Sequence, residues 1–231
     1  MSDHPLLLGH RGARASTSVP ENTPASFDLA LEHGCDGFEF DVRSTACGTA
    51  VVCHDPKVGT IAIARAQAVD LPQLPRLDDV IQRYGQRSFL NIEIKVKDLE
   101  SNVLTALGKY RPAQGYVVSS FIPDVVMDLE ARSPTVLIGI ICETPAQLSR
   151  WRELPADYVI PHQSLVDWLL VRNIQHAGRK IFVWTVNDSE TMLRLADWGV
   201  DGIIADDTEL LVRTLGRGAD LSGRSRGHSC D

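Results

Sequence analysis

The sequence predicts an α/β fold of the TIM (β/α)₈ barrel type, and three observations carry that expectation. Short apolar, β-branched runs alternate along the chain with segments of helical period, which is the rhythm of repeated βα units around a parallel sheet. Eight such runs fit within 231 residues, a length that suits a lean barrel, since this fold runs from about 200 residues upward. In two of the runs polar side chains occupy alternate positions, and a parallel sheet covered on both faces needs a buried use for them. A doubly wound open sheet is the alternative architecture.

The eight strands are expected at residues 6–9, 37–42, 90–96, 116–120, 136–141, 158–160, 181–186 and 202–205, with an accessory run at 50–54 close behind the second. Helices are expected at 23–33, 98–110, 123–131, 145–153, 164–177, 189–197 and 208–216; Gly34 and Gly178 stand where a helix should stop. Trp151, Trp168 and Trp198 fall on these helices, where packing against the barrel is their expected use. Residues 56–75 form the one connection without a clear element. Residues 217–231 lack the apolar side chains needed to offset the entropy of ordering, so the domain organisation expected is one barrel over 1–216 and a disordered tail over 217–231.

Composition narrows the function classes. With 44% hydrophobic and 23% charged residues the chain can bury a sizeable core, and its formal charge of −7 creates no field that would collect nucleic acid or anionic membrane. An anionic substrate must therefore be captured locally. Cys35, Cys47, Cys53, Cys142 and Cys230 are scattered, odd in number and without a CxxC pair, so reduced thiols in a cytoplasm are expected. The opening residues show no basic segment followed by an apolar stretch of signal-peptide length, and no run of about 18 apolar residues occurs, so neither secretion nor stable membrane insertion is expected. The sequence leaves the oligomeric state open.

Chemistry concentrates at strand ends. In Gly37-Phe-Glu-Phe-Asp-Val42, Phe38, Phe40 and Val42 take one face while Glu39 and Asp41 take the other. The run at 90–96 repeats the device, with Asn91, Glu93 and Lys95 on its polar face. In a barrel the apolar sets meet the helices and the acids point inside. Three converging carboxylates raise one another's pKa unless a hard cation with oxygen ligands resolves the conflict, so Glu39, Asp41 and Glu93 are the expected metal ligands. His10 ends the first strand, beside Arg11, which can hold a pair of phosphate oxygens. His54 ends the accessory run, and two imidazoles can serve as proton donor and acceptor on opposite sides of a phosphorus centre.

The ordered set Gly9-His-Arg-Gly12, Pro20-Glu-Asn-Thr23 with Ala25-Ser-Phe27, Glu39-Phe-Asp41, His54-Asp55, Glu93-Ile-Lys95, Ser120-Phe121, Val183-Trp-Thr-Val-Asn187 and Asp201-Gly-Ile-Ile204 resembles the glycerophosphodiester phosphodiesterases over residues 8 to about 207. The resemblance implies a TIM barrel with one divalent cation (Mg²⁺, Ca²⁺ or Mn²⁺) on Glu39, Asp41 and Glu93 and with His10 and His54 as the acid/base pair. It further implies that Arg11 and Lys95 hold the phosphate, that Glu21 with Asn22 orients groups near Arg11, and that Phe121 and Trp184 wall the alcohol pocket. Two departures stand out. Where the family has a small insertion domain after His54-Asp55, residues 56–75 are short, which implies a reduced insertion and rim; and the family's Thr-Asp after the last strand is Ala205-Asp206, with no expected loss of chemistry.

The expected activity is hydrolysis of a small-molecule phosphodiester, a glycerophosphodiester, to glycerol 3-phosphate and an alcohol. Lysophospholipase D cleavage of a lipid with one acyl chain is the close alternative, and residues 61–64, Ile-Ala-Ile-Ala, are available to an acyl chain. A non-catalytic barrel that binds a phosphorylated metabolite is the alternative from another class.

Overall fold

The computed structural model describes residues 4–216 of the chain. Eight parallel strands close into a barrel in the order β1 (Leu6–Gly9), β2 (Gly37–Ser44), β6 (Phe89–Ile94), β7 (Tyr116–Ser120), β8 (Ile138–Cys142), β9 (Tyr158–Pro161), β10 (Lys180–Val183) and β11 (Gly202–Ala205), with β1 paired to both β2 and β11. The open sheet is thereby excluded. The accessory run becomes β3 (Ala50–Val52), antiparallel on β2. Around the barrel lie α1 (Pro24–Glu32), α2 (Leu77–Tyr84), α3 (Glu100–Tyr110), α4 (Pro123–Arg132), α5 (Pro145–Leu148), α6 (Trp168–His176), α7 (Ser189–Trp198) and α8 (Thr208–Leu215).

Strand alternation sorts the side chains into two cores. Phe38, Phe40, Val42, Leu90, Ile92 and Ile94 point outward into the larger core shared with the helices, where Phe27 stacks on Phe38 with ring centroids 4.1 Å apart. The opposite phase fills the barrel interior with Leu8, Phe89, Val117, Tyr158, Ile160 and Phe182. Gly37 begins β2 where the strands crowd, since a Cβ there would lie 1.9 Å from the Phe89 carbonyl oxygen. Glu39, Asp41, Asn91 and Glu93 share the inward phase and are all buried.

Several expected bounds shift. Strand β6 ends at Ile94, which leaves Lys95 on the first residue past the strand. The helix expected from residue 145 stops at Leu148; the chain continues in tight i to i+3 turns that bury Trp151 and Leu154. The helix expected from residue 164 starts at Trp168, because Val166 is extended and the Asp167 carboxylate caps the Leu170 N–H at 2.7 Å. Trp168 thus lies on the first turn and is 55% exposed, not packed on the barrel.

Helix α2 was not expected, although Leu77, Val80, Ile81 and Tyr84 bury one face at helical spacing. Residues 56–75 hold a β4 (Lys57–Val58) and β5 (Ile61–Ala62) hairpin and two 3₁₀ turns, Ile63–Arg65 and Ala68–Asp70. Their own small core of Val51, Ile63, Ala66 and Leu71 makes the excursion a side structure of β2 and β3. The tail expected over 217–231 lies outside the described residues. Among the described residues no helix is long and apolar enough to cross a membrane.

Candidate active site

The C-terminal ends of β1, β2 and β6 gather the polar side chains into one cavity of about 280 Å³. His10 continues the inward phase of Leu6 and Leu8, and its backbone N–H is tied to the Ala205 carbonyl at 2.8 Å. Its Nδ1 lies 2.7 Å from Asp206 Oδ1 and its Nε2 3.8 Å from Glu39 Oε2. Burial lowers the His10 pKa against the opposing pull of the Asp206 hydrogen bond, so the ring is held neutral. Asp206 itself, despite burial, sits below the ordinary carboxylate range because His10, Asn187 and Arg14 all engage it. An ionised Asp206 only accepts, so the proton of His10 is on Nδ1 and the Nε2 lone pair faces the cavity.

Glu39, Asp41 and Glu93 each bring an oxygen to within 4.8 Å of the others, all three buried. Burial, then Asp41 and Glu93, drives the Glu39 pKa well above its ordinary value; burial and Asp41 push Glu93 up to about 7. Asp41 goes the other way: burial would raise it, but Lys95 and Arg11 together hold it below its ordinary value. Lys95 Nζ lies 3.3 Å from Asp41 Oδ1 and 2.7 Å from Glu93 Oε1. Arg11 adopts a left-handed backbone, φ 54°, which turns its N–H onto Glu39 Oε2 at 3.0 Å while its Nε stands 3.2 Å from Asp41 Oδ2. Asn22, also left-handed at φ 57°, clasps Asp41 from both ends: Nδ2 donates to Oδ2 at 2.8 Å and Oδ1 accepts from the Asp41 N–H at 3.2 Å.

His54 reaches the cavity from the excursion after β3, its carbonyl anchored by Arg43 Nε at 2.7 Å and its Nδ1 2.8 Å from Asp55 Oδ1. The opposite wall is formed by Phe121, Ile141, Ile160, Trp184 and Ile204. Trp184 is fixed by its indole N–H on the Ile160 carbonyl at 3.0 Å and meets Phe121 edge to face at 5.5 Å.

The glycerophosphoryl diester phosphodiesterase family model matches residues 10–105 and 89–210. A glycerophosphodiester phosphodiesterase of Caldanaerobacter subterraneus subsp. tengcongensis is 31% identical, over 92% of this chain and 98% of the relative. This chain belongs to the glycerophosphoryl diester phosphodiesterase family. Its class of enzyme is thus phosphoric diester hydrolase. Two solved structures share the fold: an Oleispira antarctica phosphodiesterase in complex with sn-glycerol-3-phosphate, 27% identical with a TM-score of 0.79 over 92% of this chain and 97% of that one, and a Thermotoga maritima glycerophosphodiester phosphodiesterase, 26% identical with a TM-score of 0.79 over 91% and 98%.

The divalent cation implied by membership of the glycerophosphoryl diester phosphodiesterase family fits this donor set. Glu39, Asp41 and Glu93 offer hard oxygen ligands, and Glu39 Oε1 is buried with no hydrogen-bond partner. With Arg11 and Lys95 present, three carboxylates leave a deficit of one positive charge; a divalent cation and a monoanionic diester together bring the site to neutrality.

Eight of the ten residues expected at a phosphodiesterase site line the cavity, and Asp41 is not among the lining but brings an oxygen to within 4.8 Å of those of Glu39 and Glu93. Glu21 is not among the lining residues; its carboxylate accepts from Arg11 Nη1 at 2.9 Å and from Arg14 Nε at 2.8 Å. Asn22 touches both Arg11 and Asp41, its backbone N–H donating to the Arg11 carbonyl at 3.0 Å and its side chain to Asp41 at 2.8 Å. Asp206 had no expected role, although it lies on the inward phase two residues beyond Ile204. Arg14 and Asn187, which hold it, carry no local signal of that use: Asn187 reaches Asp206 from the segment after β10, and Arg14 does so only when the barrel closes β11 on β1.

Proposed function

We propose that this chain hydrolyses glycerophosphodiesters such as glycerophosphocholine or glycerophosphoethanolamine to glycerol 3-phosphate and the free alcohol, with residues 1–216 as one catalytic domain. The observation that carries the reading is His10, its Nδ1 held by Asp206 at 2.7 Å and its Nε2 turned toward Glu39, at a cavity that also takes in His54, Glu39 and Glu93, with Asp41 clustered beside them. Glu39, Asp41 and Glu93 hold the divalent cation, Mg²⁺, Ca²⁺ or Mn²⁺. Once bound, that ion supplies Lewis-acid stabilisation of the charge that grows on the phosphoryl oxygens.

Arg11 and Lys95, presented at the same cavity, bind the non-bridging oxygens and neutralise them further. His10 Nε2 takes the proton of the attacking oxygen, either a water or the substrate's neighbouring hydroxyl, and Asp206 stabilises the imidazolium that results. His54, more exposed and at the mouth, gives its proton to the leaving alkoxide. Phe121 and Trp184 form the apolar wall against the alcohol. Four cysteines among the described residues, Cys35, Cys47, Cys53 and Cys142, are free, which supports the reading of a reducing, cytoplasmic setting.

The deciding experiment is release of glycerol 3-phosphate from glycerophosphocholine by the purified protein, with EDTA and then with each ion restored. Loss with EDTA and recovery with one ion supports the reading and names the metal; silence in every condition overturns it. One observation favours cleavage of lysophospholipids as a second reading: Ile61 and Val69 on the excursion are 43% and 81% exposed. A higher rate on lysophosphatidylcholine than on glycerophosphocholine would establish that choice.

A further inference from the structure

The cavity floor carries a buried donor with nothing to donate to. Asn91 is 1% exposed and faces inward from β6. Ser119, inward on the neighbouring β7, donates its hydroxyl to Asn91 Oδ1 at 2.7 Å, which fixes the amide plane. Asn91 lines the cavity, and its Nδ2 is buried with no acceptor. Ile141, Ile160 and Ile204 on the opposite wall offer none. Leaving a buried donor unpaired is costly, and native structures rarely do so without a use for it.

The second unpaired atom is its neighbour. In the β2–β6 register Asn91 is the partner of Glu39, whose Oε1 is also buried without a hydrogen bond. A donor and an acceptor on adjacent inward positions, neither satisfied, define a place for one small oxygen-bearing group. A phosphoryl oxygen is the less suitable occupant. Asp41 and Glu93 are register partners one layer above Asn91 and Glu39, and Lys95 lies further up the same chain segment, so the cationic groups draw the phosphate to the upper layer.

We propose that Asn91 is a positioning residue for the divalent cation, its amide N–H holding a water oxygen that completes the ion's surroundings on the floor side next to Glu39. The inference rests on the reading of Glu39, Asp41 and Glu93 as the cation's ligands. It also explains why a polar pair is kept in an otherwise apolar floor. Ser119 holds the amide in the donating orientation, and groups that support a metal in this way typically account for about 10–100-fold in affinity.

The test is calorimetric titration of the metal-stripped full chain with Mg²⁺, Ca²⁺ and Mn²⁺, without substrate, alongside melting of the metal-free protein. The paired variant Asn91→Leu with Ser119→Ala replaces an unsatisfied amide by apolar groups, so its metal-free Tm should rise while its cation affinity falls by about tenfold or more. Ser119→Ala alone should weaken the cation by a few-fold, since the amide is then free to turn. Wild-type cation affinity in the folded paired variant overturns the proposal, and so does a raised KM for the diester with cation binding unchanged, which would make Asn91 a substrate contact. A wild-type protein that takes up none of the three ions removes the cation reading itself and this inference with it.

Discussion

The two sides of the barrel interior differ in what they demand of the fold. On the β1–β2–β6 side, Glu39, Asp41 and Glu93 are buried against Arg11 and Lys95, with two residues in left-handed backbone and several polar atoms unpaired. On the β8–β9–β11 side, Ile141, Ile160 and Ile204 pack without any polar obligation. Buried apolar surface stabilises a fold in proportion to its area, whereas buried charge destabilises it unless partners are complete. The polar half is therefore organised for a ligand and the apolar half for stability, and the second supports the cost of the first.

The sharpest break of that contrast is at the histidines. His10→Ala and His54→Ala should each reduce kcat by about two to four orders of magnitude with the fold intact, measured as glycerol 3-phosphate release and by circular dichroism. Near wild-type turnover in both would remove the acid/base assignment. Next in size is Asp206→Asn, which keeps the shape but leaves His10 Nδ1 without its ionised acceptor. A fall in kcat of about one to two orders of magnitude with little change in KM is expected, as for other groups that orient a reacting side chain.

A smaller effect links pH to the cation. Burial and neighbouring carboxylates raise Glu39, and raise Glu93 from 4.5 to about 7, so the metal-free native state holds protons that the unfolded chain has released. The Glu93 contribution to stability is complete below pH 4.5 and is lost as pH rises through about 7, and the raised Glu39 carboxyl acts in the same direction. The Tm of EDTA-treated protein should fall by a few degrees over that window, while saturating Mg²⁺ should offset the fall by holding both groups ionised. A metal-induced Tm increase that does not grow with pH would contradict the assignment of the ligands. The smallest effect belongs to the other side: Ile160→Val should cost about 0.5–1.5 kcal/mol in denaturant unfolding and leave turnover nearly unaltered.

Sequence reasoning found the carboxylate cluster and the two histidines and missed the groups that hold His10, for one physical reason. Glu39, Asp41 and Glu93 announce themselves through period-two alternation within single strands, and His10 and His54 through their position at strand ends, all of which are local patterns. Asp206 meets His10 only across the β1–β11 seam, a contact between residues nearly two hundred positions apart, and Arg14 and Asn187 act there on Asp206. Helix α2 escaped for a different reason: its stripe of Leu77, Val80, Ile81 and Tyr84 spans only eight residues between charged ones, too short for periodicity to stand out beside the proline-rich segment before it. The barrel strands were the most legible because each is an apolar run bounded by turn residues, and their ends moved only where caps and turns intervened.

The excursion that carries His54 has its own small core of Val51, Ile63, Ala66 and Leu71, separate from the cores inside and around the barrel. One member of the histidine pair is thus built into the closed sheet and the other is delivered by a side module attached to a single strand pair. For protein engineering the module is a cassette: with His54 and Asp55 kept, residues 57–75 can be exchanged for loops of other length and polarity, retuning which alcohols enter, while the barrel that holds the carboxylates folds as before.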